Sequence, residues 1–214
     1  MKKLAISNVE VNYIVEEVVK RLYGKKGILV EASGRHIHLS KDMVETLFGK
    51  GYKLTKKRDL SQPGQYLCEE KVTIIGPKGV MQNVSVLGPA REHTQVELSK
   101  GDAVSIGVNA PVRMSGDIKG SAPITLASKN AVARLEEGVI VAKRHIHITP
   151  EDASKYGVKD KENVMVKING ERSLIFDDVA VRVSDKFNTV LHLDYDEANA
   201  CGYTKDTYCE IVKR

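Results

Sequence analysis

The sequence of 214 residues lacks any apolar run close to the roughly 18 residues that a membrane-spanning helix needs. Its first residues also lack the apolar segment and small-residue cleavage site of a secretory signal. Hydrophobic residues make up 42% of the chain and charged residues 29%, which is typical of a globular protein. We therefore expect a cytoplasmic protein that contacts no membrane.

The sequence also has few cysteines and only a small excess of positive charge. The three cysteines, Cys68, Cys201 and Cys209, are odd in number and form no C-x-x-C pair, so we expect free thiols in a reducing compartment. The net charge is only +5, and the lysines are scattered except around residues 56–59. This distribution offers no basic stripe to a nucleic acid, whereas it suits a small anionic substrate.

Most of the chain has the pattern of short β-strands. Residues 1–24 are the exception, because apolar side chains at three- and four-residue spacings predict an amphipathic helix there. Beyond it, apolar segments alternate with Gly, Pro, Asn and Asp turns, which favours barrels or sandwiches and a mainly β fold. Predicted strands include "KVTIIG" (71–76), "DAVSIGV" (102–108) and "GVIVAKRHIHI" (138–148).

An internal repeat organises these strands. The segment "GRHIHLS" at 34–40 returns as "KRHIHITP" at 143–150. In each copy a strand leads into an N-cap residue, Ser40 or Thr149, and then into a short helix and a glycine, with Pro150 at the first helical position of the second copy. A β-hairpin pattern follows in both copies.

The repeat continues without a gap from residues 84–99 onto residues 179–194. In this register Glu97 matches His192. The first copy carries extra residues at 49–66, which we interpret as a surface excursion.

The repeated H-x-H pairs predict two metal sites. Residues i and i+2 of a strand point to the same face about 6.6 to 7 Å apart, so two imidazoles can bind one ion. Each copy also offers a third ligand at the matched position. The predicted sets are His36, His38 and Glu97 in the first copy and His145, His147 and His192 in the second.

Zinc is the first choice of metal, because it accepts His₂Glu and His₃ sets with the fourth position open. Manganese, cobalt, nickel and iron stay open as alternatives. His93 has no histidine counterpart, since Asn188 occupies the matched position, and the cysteines are out of register with the metal pairs. We assign these residues no chemical role.

Five ordered motifs between Gly27 and Val212 resemble those of the PduL-type phosphotransacylases, the phosphate propanoyltransferase family. They are "SGRHIHLS", "GPAREHTQVELS", "PVRMSGDIKGS", "KRHIHITPEDA" and "LHLDYDEANACG". The resemblance implies a phosphate acyltransferase that moves a short-chain acyl group, propanoyl or acetyl, between coenzyme A and inorganic phosphate. It also implies two zinc ions per chain, held by the same two sets of residues.

The resemblance extends to phosphate binding and to architecture. It implies that Arg91 binds phosphate near the metals; the matched residue of the second copy is Lys186. It further implies two β-barrel domains capped by short helices, one from residues 25–34 with 143–214 and the other from residues 35–142. A homodimer is expected, and the N-terminal helix is either an encapsulation peptide that enters a bacterial microcompartment or a helix packed on its own barrel.

For the mechanism we expect direct attack of phosphate on the thioester, because no serine or cysteine has a recognisable nucleophile arrangement. The glycine-rich segment 113–121 could close over phosphate or pantetheine. Its predicted substrate-binding residues are Arg113, Ser115, Gly116 and Asp117.

Two other functions fit the histidine pairs. One is a metal-dependent hydrolase or cupin-like enzyme, although cupins place their glutamate only a few residues after the pair. The other is a non-catalytic metal-binding module of a microcompartment. A coenzyme-A-dependent assay without phosphate separates transfer from hydrolysis.

Overall fold

The computed structural model describes residues 27–212, and the helix predicted in residues 1–24 lies outside that range. Within it the chain forms 14 strands and four short helices. No helix in this part of the chain is long and apolar enough to cross a membrane. The helices are α1 Lys41–Phe48, α2 Lys100–Ser105, α3 Pro150–Tyr156 and α4 Tyr195–Ala200.

One barrel, here called the C-barrel, takes most of its six strands from the second half of the chain. These strands are β1 Ile28–Ser33, β10 His145–Ile148, β11 Asn163–Ile168, β12 Leu174–Val183, β13 Val190–Asp194 and β14 Tyr208–Val212. Around the closed ring their order is β1-β13-β10-β12-β11-β14.

The other barrel, here called the N-barrel, also has six strands in its ring. They are β2 His36–His38, β4 Tyr66–Ile75, β5 Val80–Gly88, β6 Gln95–Glu97, β8 Ala122–Ala127 and β9 Val132–Ala142. Their order is β4-β5-β2-β6-β9-β8, and β8 closes the ring on β4. Outside the ring, β3 Lys56–Asp59 pairs with β4 and β7 Val112–Arg113 pairs with β9. The predicted mainly β fold with two barrels and short capping helices is confirmed.

Each barrel contains the strand that directly precedes the histidine pair of the other barrel. Strand β1 runs into β2 of the N-barrel but pairs with β13 and β14 of the C-barrel. Strand β9 runs into β10 of the C-barrel but pairs with β6 and β8 of the N-barrel. Only residues 34–35 and 143–144 separate these strands. The exchange therefore places both histidine pairs at the junction of the barrels.

Local sequence signals explain the helices that follow the histidine pairs. Ser40 Oγ accepts a hydrogen bond from the backbone N–H of Met43, and Thr149 Oγ1 accepts one from Asp152, so both predicted N-caps are confirmed. Helix α3 ends at Gly157, whose φ of 67° is easily adopted only by a residue without a Cβ.

One predicted strand was wrong. Residues 102–108 begin inside helix α2, because Ser99 caps that helix by accepting a hydrogen bond from the backbone N–H of Asp102. The apolar residues of the segment resemble a strand, but the cap starts a helical turn, and Val104 of that turn is exposed to solvent.

The segment at 49–66 is more than a surface excursion. Its Gln62 is only 5% exposed, and Gln62 Nε2 donates to the carbonyl of Asn188 at 3.1 Å. In return, Asn188 Nδ2 donates to the carbonyl of Ser61 at 2.6 Å. Since Asn188 lies two residues before the C-barrel strand β13, this segment joins the two barrels.

Candidate active site

The first histidine pair lies on β2 beside β6, which supplies Glu97. The antiparallel register sets His36 opposite Glu97, with His36 Nε2 3.4 Å from Glu97 Oε2 and His38 Nε2 3.9 Å from Glu97 Oε1. All three side chains are buried, and their ligand atoms lie within 4.8 Å of one another. We call His36, His38 and Glu97 the first triad.

The second histidine pair repeats this arrangement on β10 and β13. His145 is opposite His192 in the antiparallel register, and the ligand atoms of His145, His147 and His192 again lie within 4.8 Å of one another. The His145 and His147 rings are 4.6 Å apart between centroids, and His147 and His192 are 5.0 Å apart. We call this set the second triad.

Both triads line one cavity of about 920 Å³ between the barrels. The other lining residues include six cationic side chains: Arg35, Arg58, Arg91, Lys143, Arg182 and Lys205. The cavity thus combines two clusters of metal-type ligands with a positive surround, which favours an anionic ligand.

The first triad holds an ionised carboxylate. Burial opposes ionisation of Glu97, but the facing His36 and His38 keep its pKa below the usual range. Burial also favours the neutral form of His36, yet the Glu97 carboxylate raises the pKa of that ring. Burial and the neighbouring His36 lower the pKa of His38 to about 3. The triad therefore attracts a cation, and metal binding would displace the proton from His36.

The second triad is neutral. Burial lowers the pKa of His145. Burial, then His145 and His192, lowers the pKa of His147 to about 2. Burial and His145 lower the pKa of His192 to about 3. Neutral imidazoles keep a lone pair for a metal.

Contacts around the rings support metal binding by both sets. The Nδ1 atoms of His36 and His145 lie 2.8 Å from the carbonyls of Gly34 and Lys143, which leaves each Nε2 free for a ligand. Among the described residues nothing bonds to the buried His192 Nε2. A buried nitrogen without a partner is costly, and a bound metal ion would supply that partner. The donor sets therefore fit zinc.

The other nitrogen of His192 faces a carboxylate. His192 Nδ1 lies 3.9 Å from Glu31 Oε2, and Ser61 donates a hydrogen bond to that same oxygen at 2.6 Å. Glu31 and His192 are register partners on β1 and β13. Sequence reasoning missed Glu31, because its pairing with β13 follows from the strand exchange and leaves no local pattern.

Arg91 lies beside the first triad, just after β5. Its backbone N–H donates to the carbonyl of Leu39 at 2.8 Å, which fixes the chain next to the histidine pair. Its Nη1 lies 3.4 Å from Ser115 Oγ, and burial lowers its pKa. The matched Lys186 is exposed and is not among the residues that line the cavity.

A different cation, Arg182, accompanies the second triad, and sequence reasoning missed it. Arg182 is the register partner of His147 in the parallel pair of β10 and β12. Its guanidinium carbon is 5.7 Å from the Phe187 ring centroid, and that ring lies 4.2 Å from the ring of His147. The repeat did not indicate Arg182, because the residue at the matched position of the first copy is Leu87.

The predicted substrate loop is only partly in the cavity. Of its four residues, Ser115 lines the cavity, whereas Arg113 and Asp117 form an exposed ion pair at 3.3 Å. The backbone N–H of Gly116 donates to Gln95 Oε1 at 2.8 Å, so it already has a partner in the protein. A substrate-binding role for these residues stays a prediction.

The residues that were assigned no role lie away from this chemistry. Cys68, Cys201 and Cys209 are buried free thiols, and burial raises the pKa of Cys68 to about 11 and that of Cys209 to about 12. None of the three lines the cavity between the barrels. His93 is exposed.

Comparisons with known proteins identify the family of this chain. The sequence profile of the phosphate propanoyltransferase family matches residues 29–204. The chain is 56% identical over 203 residues to a phosphate propanoyltransferase of Clostridioides difficile, covering 95% of this chain and 97% of the relative. It is 54% identical to phosphate propanoyltransferases of Listeria monocytogenes, covering 98% of both chains, and of Thermotoga maritima, covering 87% of this chain and 89% of the relative. The chain therefore belongs to the phosphate propanoyltransferase family, a family of acyltransferases.

Proposed function

We propose that the protein interconverts a short-chain acyl-CoA plus phosphate with an acyl phosphate plus coenzyme A, in the cavity between the barrels. The observation that carries this proposal is the convergence of two metal-type triads and Arg91 on a single cavity of about 920 Å³. The family adds the reaction class, and the name of its members favours a propanoyl group. Acetyl-CoA is the second candidate substrate.

The proposal includes two zinc ions per chain. The first triad, His36, His38 and Glu97, would hold one, and the second triad would hold the other. When bound, zinc supplies a Lewis acid for acyl and phosphoryl oxygens and neutralises negative charge. The buried carboxylate and the neutral rings support this assignment, as does the partnerless His192 Nε2.

Arg91 and Arg182 would offset the negative charge of the substrates. Phosphate and the thiolate of coenzyme A are both anions in the exchange, so the chain must offset their repulsion. A guanidinium presents two parallel N–H donors that match two phosphate oxygens. Arg91, half-buried beside the first triad, would hold phosphate, and Arg182 would add positive charge beside the second triad.

We propose direct attack without an acyl-enzyme. A phosphate oxygen attacks the thioester carbonyl carbon, a C–O bond forms, the C–S bond breaks, and the electron pair leaves on the coenzyme A sulfur. The raised thiol pKa values of Cys68 and Cys209 support this route, and so does the lining of the cavity, which includes none of the cysteines. Holding both reactants in one cavity supplies the proximity that the reaction requires.

Steady-state kinetics with acetyl-, propanoyl- and butanoyl-CoA, with zinc counted in the same preparation, test the proposal. We expect coenzyme A release to require phosphate, the highest kcat/KM with one of the two shorter acyl groups, and about two zinc ions per chain. Release without phosphate would instead make the protein a hydrolase. An inactive preparation with two tightly held zinc ions would make it a non-catalytic metal-binding module.

The proposal also covers assembly and location, for which the family resemblance is the only support. We propose a cytoplasmic homodimer whose predicted helix in residues 1–24 directs it into a bacterial microcompartment. Light scattering measures the oligomeric state. Deleting residues 1–24 should leave kcat/KM unchanged and abolish co-purification with compartment shells, and continued co-purification would contradict the encapsulation role.

A further inference from the structure

The two oxygens of the Glu97 carboxylate have different surroundings. Oε2 faces His36 Nε2 at 3.4 Å. Oε1 accepts hydrogen bonds from Gln95 Nε2 at 2.5 Å and from Ser115 Oγ at 3.0 Å. The terminal torsion of a glutamate is broad and roughly two-fold, so a carboxylate without such partners rotates freely. Here two donors fix Oε1, which also lies 3.9 Å from His38 Nε2, and thereby orient Oε2 toward His36.

The hydroxyl of Ser115 uses its full hydrogen-bonding capacity in this cluster. It donates to Glu97, and it accepts from Gln95 Nε2 at 2.9 Å and from Arg91 Nη1 at 3.4 Å. A hydroxyl has one donor and two acceptor sites. Ser115 therefore connects the carboxylate of the first triad to the guanidinium proposed to hold phosphate.

The orientation of Gln95 is also determined. The side chain is 2% exposed, and its Oε1 accepts from the backbone N–H of Gly116 at 2.8 Å. The amide must then turn its NH₂ group toward Glu97 and Ser115, because the reverse orientation would set its oxygen against the carboxylate. Gly116 has a φ of 100° in a turn closed by Asp117 N to Met114 O, which a residue without a Cβ adopts freely.

Among the described residues, the second triad has no side-chain amide in the place of Gln95. The position opposite His147 is Val190, whereas the position opposite His38 is Gln95. A buried amide is harder to accommodate than a valine, since every polar atom needs a partner. The amide of Gln95 lies beside the triad that contains the carboxylate, and a valine takes its place beside the second triad. We therefore expect the role of Gln95 to be specific to Glu97.

We infer that Gln95 and Ser115 are positioning residues, which hold the Glu97 carboxylate in one orientation toward the metal and couple it to Arg91. This inference rests on the two-metal site of the proposed function. It reassigns Ser115 from a ligand of the substrate to a partner of Glu97 and adds Gln95, which the sequence pattern did not single out. Removing such partners of a metal ligand typically weakens metal binding by 10- to 100-fold.

Chelator competition on the full-length zinc protein, with kinetics in parallel, tests this inference. The variants are Gln95→Met and Ser115→Ala, with Ser115→Thr as the substitution that keeps a hydroxyl. Gln82→Met is the matched control, because Gln82 is exposed on β5 of the same barrel. The chelator is expected to remove the two zinc ions in separate steps. The variants Glu97→Ala and His192→Ala, which each lack one of the two sites, identify the site that corresponds to each step.

For Gln95→Met and Ser115→Ala we expect about 10- to 100-fold weaker binding of the zinc that Glu97→Ala removes, and no change at the other. The KM for phosphate should rise, Ser115→Thr should recover most of both losses, and Gln82→Met should match the original protein. A higher KM for phosphate with both zinc affinities unchanged would make Ser115 a substrate ligand and overturn the inference. Equal loss of both zinc ions would show general destabilisation and overturn it too. Failure of the proposed function is separate, since it would appear in the unsubstituted protein as absent zinc or absent transfer.

Discussion

The two triads lie at equivalent places in two barrels with the same ring order, and they differ in charge. With its histidines neutral, the first triad carries the negative charge of Glu97, whereas the second triad carries none. A divalent ion would therefore keep a net charge of about +1 at the first triad and +2 at the second. The second site should attract an anionic substrate oxygen more strongly.

The supporting cations differ as well. Arg91 follows strand β5 beside the first triad, whereas Arg182 lies within strand β12 beside the second. They are not matched by the repeat, since Arg91 corresponds to Lys186 and Arg182 to Leu87. The two copies thus share the ligand geometry, whereas the charges beside each triad differ.

The largest effect should come from removing the cation of one site only. Arg91→Ala should lower kcat/KM by about 10²- to 10³-fold, because a preorganised group that offsets developing charge is lost. Arg91→Lys should recover only part of it, since lysine lacks the planar fork. Zinc analysis should still give two ions per chain, and Lys186→Ala should have normal activity because Lys186 is exposed. Loss of zinc from Arg91→Ala would make the residue structural.

The second prediction separates the triads by metal content. Glu97→Ala and His192→Ala should each lower the zinc count by about one, because two remaining histidines bind zinc weakly. Elemental analysis after dialysis measures this, with the exposed His93→Ala as the control. Two ions retained in either variant would remove the two-site assignment.

Much of the difference between the two triads could be predicted from the sequence, because the ligand residues have a strict spacing. The H-x-H pairs, their N-caps Ser40 and Thr149, and the match of Glu97 with His192 all follow from strand alternation and from the repeat. The exchange of β1 and β9 could not be predicted from periodicity, which gives strand positions but not strand partners.

The residues missed by sequence reasoning share one property: their role depends on a partner far along the chain. Glu31 reaches His192 through the pairing of β1 with β13, and Gln95 is defined by Ser115 and Gly116. A short helix was mistaken for a strand where one cap, Ser99, outweighed the apolar pattern.

A third, smaller effect should distinguish the triads by pH in the metal-free protein. The second-triad histidines have lowered pKa values, so below about pH 6.5 the unfolded chain binds protons that the folded chain does not. Stability should then fall as pH decreases toward about 3, by up to about 1.4 kcal/mol per pH unit for each such group.

Urea unfolding of the metal-free protein between pH 5 and 7.5 measures this slope. His192→Gln should flatten it, whereas Glu97→Gln should steepen it, because loss of the carboxylate removes the interaction that raises the pKa of His36 and leaves burial to lower that pKa. An unchanged slope in His192→Gln would show that His192 is already protonated in the folded metal-free protein.

The smallest expected effect concerns helices α2 and α4, which follow Glu97 and His192 at equivalent places in the two barrels. Helix α4 is capped by its own Asp194, with Glu197 completing the capping box. Helix α2 has its own N-cap, Ser99, and is also held from the other barrel: Asp196 Oδ1 accepts from Ser99 Oγ at 3.0 Å, and its Oδ2 accepts from the backbone N–H of Gly101 at 2.6 Å. A carboxylate at a helix N-terminus stabilises it by hydrogen bonding and by its charge.

Asp196→Ala should therefore destabilise the protein by about 1 kcal/mol, measured as a lower urea midpoint, and leave both zinc ions bound. Asp206→Ala is the control, because Asp206 is also an exposed aspartate of the C-terminal segment. Since Ser99 lies two residues after Glu97 on the chain, a coupled loss of the first zinc would show that this contact between the barrels also holds the third ligand in place. Retention of both ions with the smaller stability would mean that the triads keep their geometry without this contact.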